Sequence, residues 1–285
     1  ELRDPFKKLT TVFQMSEEMF FLHYGKDGCN RHVLIDECRE LFGEIYEQIP
    51  ELPFCNIWTA MQLSSRLPKG ALFHMGVSNT RRCWNMFQLP ESVESACNVG
   101  CCGIDGCVST LVGASLVNPD RLCYVVVGDL TFFYDLNSLG NHHIGTNLRV
   151  MLVNNGRGTE FRLGIHHCNV FGDDADKYMA AAGHFGNKSP LLVKHYAEDL
   201  GFHYLSATTK EEFMTALSNF TNPQLSDHSM ILEVFTDSKD ESEALYLMSH
   251  IQSDAKGMVR SKLKDAVRNV AGEKGINAIK KILKK

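Results

Sequence analysis

Apolar residues fall at helical spacing over 33–46, running from Val33-Leu34-Ile35 through Leu41-Phe42 to Ile45-Tyr46. The spacing predicts an amphipathic helix there. A second helix is predicted over 57–67, closed by Pro68-Lys69-Gly70, and 71–76 reads as a short buried strand. From there the pattern alternates. Residues 106–117 are rich in small side chains and suit a tightly packed helix, and 122–127 form a β-branched apolar run that stops at Gly128-Asp129. Residues 133–143 are helical in pattern, and 148–153 form a second apolar run that stops at Asn154-Asn155. Two buried strands joined by a helix make a βαβ unit, with parallel strands and a right-handed crossover. Helix is predicted again over 174–182 and 191–200, with short strands near 202–205 and 230–234.

This order predicts an α/β fold over residues 26–250: doubly wound, with a mainly parallel sheet flanked by helices. Residues 1–25, mixed in charge and aromatic, lead into Tyr24-Gly25-Lys26-Asp27-Gly28, a turn or linker. From the residues alone they read as a linker. Residues 251–285 form a basic amphipathic helical tail, with Val259, Leu263, Val267 and Val270 at helical spacing, then Ile276, Ile279 and Leu283 beyond Gly272 and Gly275.

Charge sharpens the division. The chain carries −5, yet the tail holds ten Lys and Arg against three acids, a local +7 that leaves −12 on the rest. An acidic body speaks against a nucleic-acid partner. For the tail, docking on that body or on a partner subunit is preferred to a membrane surface. No apolar run reaches the roughly 18 residues that a membrane-spanning helix needs, and a hydrophobic fraction of 44% suits a substantial buried core. The ten cysteines are irregularly spaced, with no paired Cys-x-x-Cys units for zinc. They read as reduced, small packing residues of a cytoplasmic protein. The start, Glu1-Leu2-Arg3-Asp4-Pro5, is charged and lacks both an apolar stretch and an initiator methionine, so it reads as that of a fragment or processed chain.

Both Gly128-Asp129 and Asn154-Asn155 fall at carboxyl ends of predicted parallel strands, where such sheets bind ligands. Their chemistry suits a magnesium diphosphate. Mg²⁺ takes oxygen ligands in octahedral array, commonly one or two carboxylates plus phosphate oxygens. Asp129 offers a carboxylate, Asn155 an amide oxygen, and a turn carbonyl such as that of Arg157 a third oxygen. Gly128 lets backbone N–H groups approach phosphate, and Leu130-Thr131 lead into a helix whose start favours negative charge. Taken singly, Gly128-Asp129 is also an ordinary strand-to-helix turn and the asparagines ordinary turn residues. His142-His143 and His166-His167 point in different directions on a helix and read as packing.

The stretch Gly128-Asp129-Leu130-Thr131-Phe132-Phe133-Tyr134-Asp135-Leu136-Asn137, followed by Asn154-Asn155, resembles the diphosphate-binding motif of thiamine-diphosphate enzymes. With Gly103-Ile104-Asp105-Gly106, Ser109-Thr110 and Gly113-Ala114 upstream, it is most similar to the menaquinone-pathway branch, 2-succinyl-5-enolpyruvyl-6-hydroxy-3-cyclohexene-1-carboxylate synthase. The likeness runs from about residue 70 to 240, and more weakly to the N-terminus, where residues 1–25 resemble the end of the preceding, central domain of that family.

That resemblance implies a C-terminal cofactor-binding part of an enzyme doing carbon–carbon lyase or ligase chemistry on a 2-oxo acid. Thiamine diphosphate and Mg²⁺ are the implied cofactors. Metal ligands would be Asp129, Asn155 and the Arg157 carbonyl; Gly128, Asp129, Leu130, Thr131 and Asn155 would hold the cofactor, with Ile104 propping its bent form. Ser78 and Arg82 match positions that contact an acidic substrate, and Arg82 with Glu160 are the catalytic candidates. A pyrimidine-binding domain, absent from this chain, would supply the activating glutamate across the interface of a homodimer or homotetramer, so this piece alone is expected to be inactive. The chain departs from the family at Val99, where an arginine is usual, and at Glu160, where an apolar residue is usual. Arg82 also reads as one of a solvated pair with Arg81, and Glu160 as either a loop carboxylate or an acid–base group. The alternatives are a decarboxylase or acetolactate-synthase-like enzyme of another pathway, or a non-catalytic cofactor-binding subunit. A nicotinamide dehydrogenase is disfavoured, since no Gly-x-Gly-x-x-Gly follows a first strand.

Overall fold

The computed structural model describes residues 4, 7–25, 33–163, 166–179, 181, 183, 185–186 and 188–251, in two compact units, Glu1–Gln48 and Ile49–Lys285. The predicted tail, apart from Ile251, lies outside the described residues. In the first unit, α1 (Glu17–Tyr24) is capped by Ser16, whose hydroxyl accepts from the Met19 amide at 3.3 Å. Phe13, Phe20 and Tyr24 form an aromatic cluster, with ring centroids 4.9–5.4 Å apart. α2 (Val33–Glu47) forms where the helical spacing predicts it. The sheet lies in the second unit, which starts at Ile49.

The second unit begins with α3 (Asn56–Leu63) and β1 (Leu72–Met75), then α4 (Asn79–Trp84), β2 (Glu94–Cys97), α5 (Cys107–Val117), β3 (Cys123–Gly128) and α6 (Asp129–Asp135). β4 (Leu148–Asn154), α7 (Ala175–Tyr178), α8 (Leu192–Asp199), β5 (His203–Ala207), α9 (Lys210–Phe220), β6 (Met230–Phe235) and α10 (Ser238–Met248) complete it. The six strands form one sheet in the order β2-β1-β3-β4-β6-β5, every neighbouring pair parallel. The continuous apolar runs of β3 and β4 occupy its centre because a strand covered on both faces has no polar side.

The two faces are covered by different helices. Val125, Val127, Val150 and Leu152 pack with Val108 and Leu111 of α5, Phe132 of α6 and Val193 of α8. Residues one step along point the other way. There Phe73 meets Trp84 of α4 at 5.1 Å between centroids, and Tyr124 meets Phe220 of α9 at 5.5 Å. The sheet is therefore doubly wound, as the sequence predicts. Buried Cys55, Cys83, Cys107 and Cys123 are free thiols whose pKa burial pushes up, to about 12 for Cys55 and about 11 for Cys123. No helix among the described residues is long and apolar enough to cross a membrane.

Three predicted helices are corrected. The helix expected over 133–143 starts at Asp129 with no intervening loop, and after Asp135 tightens into a 3-10 segment, Leu136–Gly140. Gly128, extended at φ −76°, ψ 166°, carries the turn by itself. The helix expected over 57–67 likewise ends at Leu63 and continues as a 3-10 turn, Ser64–Arg66. The helix expected over 174–182 keeps only the four residues of α7, preceded by a 3-10 stretch, His167–Asp174, kinked at Gly172.

Candidate functional site

Because the strands are parallel, Met75, Gly128 and Asn154 all end at one edge of the sheet. After β1 the chain crosses to β2 on one side; after β3 it crosses to β4 on the other. The loops leaving β1 and β3 therefore diverge, and a crevice opens between them. Here it is a cleft with about 670 Å³ of empty space, counted with the solvent at its open mouth.

The strand ends supply its walls. From β1 come Ser78, Asn79 and Thr80; from β3, Gly128, Asp129, Leu130 and Thr131; from the loop after β4, Asn155, Arg157, Gly158, Thr159 and Glu160. Ile104, ahead of α5, lines the same cleft. Nine of the residues named from the sequence thus meet at one place: Ser78, Ile104, Gly128, Asp129, Leu130, Thr131, Asn155, Arg157 and Glu160. Arg82, the tenth, is not part of the lining but is bonded to it, at the rim, through Glu160.

Several backbone features hold this geometry. Ser78 has φ 60°, ψ −124°, the angles at which type II′ turns take glycine. A non-glycine residue there stores strain of roughly 1–3 kcal/mol, and such strain gathers at functional sites. Gly106 starts α5 at φ 83°, and the Asn98 amide donates to its carbonyl at 3.1 Å. Asp135 ties α6 to α5 by accepting from the Ser109 amide at 2.7 Å and its hydroxyl at 3.0 Å. Two separated pieces of the sequence signature are thereby joined. At Gly158 a methyl group would overlap the Ala181 carbonyl oxygen, so that loop requires glycine.

Asp129 is 2% exposed, and its Oδ1 accepts from the Leu130 amide at 2.8 Å. Asn155 Oδ1 accepts from the Arg157 amide at 3.2 Å, closing the turn after β4. An amide oxygen has two lone pairs, so this bond leaves capacity for a ligand. Asn154 has a different task. It is buried at the end of β4, where its Nδ2 donates to Glu233 Oε1 at 2.7 Å, and Glu233 Oε2 accepts from the Tyr204 hydroxyl at 2.7 Å. Burial pushes the Glu233 carboxyl up and the two hydrogen bonds draw it back.

The predicted catalytic pair, Arg82 and Glu160, meets as a two-bond ion pair, Nη1 to Oε2 at 2.7 Å and Nη2 to Oε1 at 3.1 Å. The hydrogen bond to Glu160 holds the guanidinium pKa above its ordinary value. With side chains 37% and 25% exposed, the pair is open to solvent and its contribution to stability is small.

Four residues of this region escaped the sequence. Asn79 Oδ1 and Thr159 Oγ1 are buried, belong to the cleft lining, and have no hydrogen-bond partner among the described residues. Buried oxygens of that kind call for a donor or a cation. Asn56 lines the cleft from α3, its Oδ1 accepting from Trp84 Nε1 at 2.9 Å. Its backbone N–H donates to both oxygens of Glu241, at 3.0 and 3.1 Å. Glu241 is buried, and desolvation raises its pKa from 4.5 to about 7 against the pull of Thr236 and Asn56. Nothing local marks Asn56, Asn79 or Thr159; Glu241 shows only as an acid in the first turn of a helix.

No family model matches the chain. Curated proteins do. A 2-succinyl-5-enolpyruvyl-6-hydroxy-3-cyclohexene-1-carboxylate synthase from Bacteroides fragilis is 33% identical over 242 residues, 83% of this chain and 41% of that protein. Its namesake from Phocaeicola vulgatus is 31% identical over 253 residues, 86% of this chain and 42% of its own length. That from Christiangramia forsetii is 33% identical over 199 residues, 70% and 33% respectively. The chain spans about two fifths of the length of the first two.

Proposed function

Since this chain is a relative, over most of its length, of the 2-succinyl-5-enolpyruvyl-6-hydroxy-3-cyclohexene-1-carboxylate synthases, we propose that it is the diphosphate- and Mg²⁺-holding part of a thiamine-diphosphate enzyme acting on a 2-oxo acid. The observation that carries the reading is the convergence of Asp129, Asn155 and Ile104 on one cleft at the switch point of the sheet. The donor set fits the groups concerned. Asp129 and Asn155 offer oxygen to a hard cation, and the buried oxygens of Asn79 and Thr159 suit the same oxygen-rich, cation-bearing ligand.

In this reading Asp129, Asn155 and the Arg157 carbonyl hold Mg²⁺, while Gly128, Leu130 and Thr131 bring backbone close to the diphosphate. Ile104 supports the ring system from the apolar side. When bound, thiamine diphosphate supplies an electron sink for decarboxylation of the 2-oxo acid. The chain's own part is to bind, orient and keep water from the reacting end, with Ser78 and the Arg82–Glu160 pair at the substrate side. Carboligation to an acceptor, in preference to release by a proton, is supported by the relatives' being named synthases, and Val99 together with Glu160 leaves the acceptor open. The remaining three fifths of the relatives' length provides for a pyrimidine-binding part, with assembly as a homodimer or homotetramer in the cytoplasm.

Calorimetric titration of Mg²⁺–thiamine diphosphate into the chain, beside Asp129→Ala, tests this. Saturable, Mg²⁺-dependent heat that disappears in the variant is expected. No binding by the chain, even with a pyrimidine-binding part restored, would sink the proposal. Binding without turnover in that restored protein would favour a non-catalytic subunit.

A further inference from the structure

At the rim of the cleft a guanidinium already holds a carboxylate. Arg82 meets Glu160 through two parallel hydrogen bonds, the geometry in which arginine takes a free carboxylate ligand. The other cation at the cleft, Arg157, has Nη1 3.7 Å from Asp176 Oδ2. Among the described residues that line the cleft or bond to its lining, these are the cationic side chains, and each faces an acid of the chain itself. The same cleft is lined by Val77, Ile104, Leu130 and Phe161, which suit an uncharged group.

We propose that Glu160 is a specificity-determining residue: it fills the carboxylate seat on Arg82, so the cleft prefers a 2-oxo acid with an uncharged end to one with a second carboxylate. The inference rests on reading the cleft as the seat of a 2-oxo acid. A second carboxylate reaching Arg82 must displace Glu160, and that exchange breaks one two-bond pair for each it forms. The displaced carboxylate stays attached to the 3-10 turn Thr159–Arg162 beside the newcomer, where like charges repel. An uncharged end leaves the pair intact and meets the apolar lining. The partial exposure of both side chains makes the seat reachable from solvent, so its occupant decides the selection.

A matched pair of ligands reads this directly. 2-Oxoglutarate and 2-oxovalerate share a five-carbon chain and differ in a terminal carboxylate against a methyl group. Each is titrated calorimetrically into the full chain without cofactor. The unaltered chain is expected to bind 2-oxovalerate at least as tightly. Glu160→Gln should shift the affinity ratio about tenfold towards 2-oxoglutarate, the scale of one charge-assisted pair gained. Glu160→Ala, which cannot bond to Arg82, should shift it at least as far, and adding Arg82→Gln should cancel the shift. Circular dichroism and melting curves check that each variant is folded. The inference is overturned if the ratio stays put in both Glu160 variants, if the shift survives without Arg82, or if neither variant binds 2-oxoglutarate. Thiamine diphosphate is titrated separately, so cofactor binding without a ratio shift sinks this inference alone. A ratio shift with no cofactor binding, even with the pyrimidine-binding part restored, sinks the cofactor reading alone.

Discussion

Replacing Glu241 by glutamine should remove a large part of the pH dependence of stability. The carboxyl is 1% exposed on α10, and both its oxygens accept from the Asn56 amide while Oε1 also accepts from the Thr236 hydroxyl at 2.7 Å. Burial lifts its pKa from 4.5 to about 7, helped by the charges of Asp129 and Asp240. The folded pKa therefore lies above the unfolded one. Below pH 4.5 both states are protonated and the group costs nothing. As pH rises the unfolded chain loses the proton first, so stability falls until about pH 7, where the full cost of roughly 3 kcal/mol is present. Between pH 5 and pH 8 the linkage amounts to about 2.5 kcal/mol. Other groups titrate as well, so the informative quantity is the difference between the unaltered chain and Glu241→Gln, from urea denaturation at each pH. That difference should move by about 2.5 kcal/mol in favour of the variant between pH 5 and pH 8. A difference constant across this range would refute the reasoning. Mg²⁺ held at Asp129 would offset the repulsion there, so adding it should flatten the slope of the unaltered chain.

The remaining predictions concern the cleft and its supports. Tyr204→Phe deprives buried Glu233 of one of its two donors and should cost about 1–3 kcal/mol in urea denaturation; an unchanged midpoint would mean that Glu233 is solvated. Gly158→Ala should displace the loop that carries Arg157 and Glu160. Binding of Mg²⁺–thiamine diphosphate should fall at least tenfold by calorimetry, and undiminished binding would show that this loop does not shape the site. Ser78→Gly relieves a backbone strained at φ 60° and should raise the denaturation midpoint by the equivalent of about 1 kcal/mol after the entropy cost of glycine, whereas a lowered midpoint would mean the hydroxyl is structurally required. Phe132→Ala opens a cavity under α6 and should cost about 3–5 kcal/mol; a loss below 1 kcal/mol would contradict the packing described.

What the sequence made legible follows from burial. β3, β4 and β6 lie in the sheet's interior, and their apolar runs stand out. β2 did not, because Glu94, Ser95 and Ala96 are exposed on an edge strand and carry no apolar alternation. α4 is six residues long and begins at a strained serine, so periodicity cannot show it. α9 could have been found: Thr209 accepts from the Glu212 amide at 3.2 Å, Glu212 reaches back to the Thr208 amide, and Phe213, Ala216, Leu217 and Phe220 follow at helical spacing. α10 hides because its buried face includes Glu241, a residue type that pattern reading assigns to the outside.

The same logic divides the candidate site. Asp129 and Asn155 could be named because a single apolar run ends just before each of them, and the place where a strand ends is local information. Asn79 and Thr159 are polar residues of ordinary kind whose burial depends on the divergence of the β1 and β3 loops, a property of strand order and not of either segment. The Arg82–Glu160 pair joins residues 78 apart in the chain, so each can be named as a candidate by itself while their pairing is invisible locally. Their pairing matters because the cleft cannot satisfy both its own glutamate and an incoming carboxylate with one guanidinium. Residues fixed by strand ends are thus open to a local pattern, whereas the pairing of Glu160 with Arg82 comes from strand order and shows only once the fold is assembled.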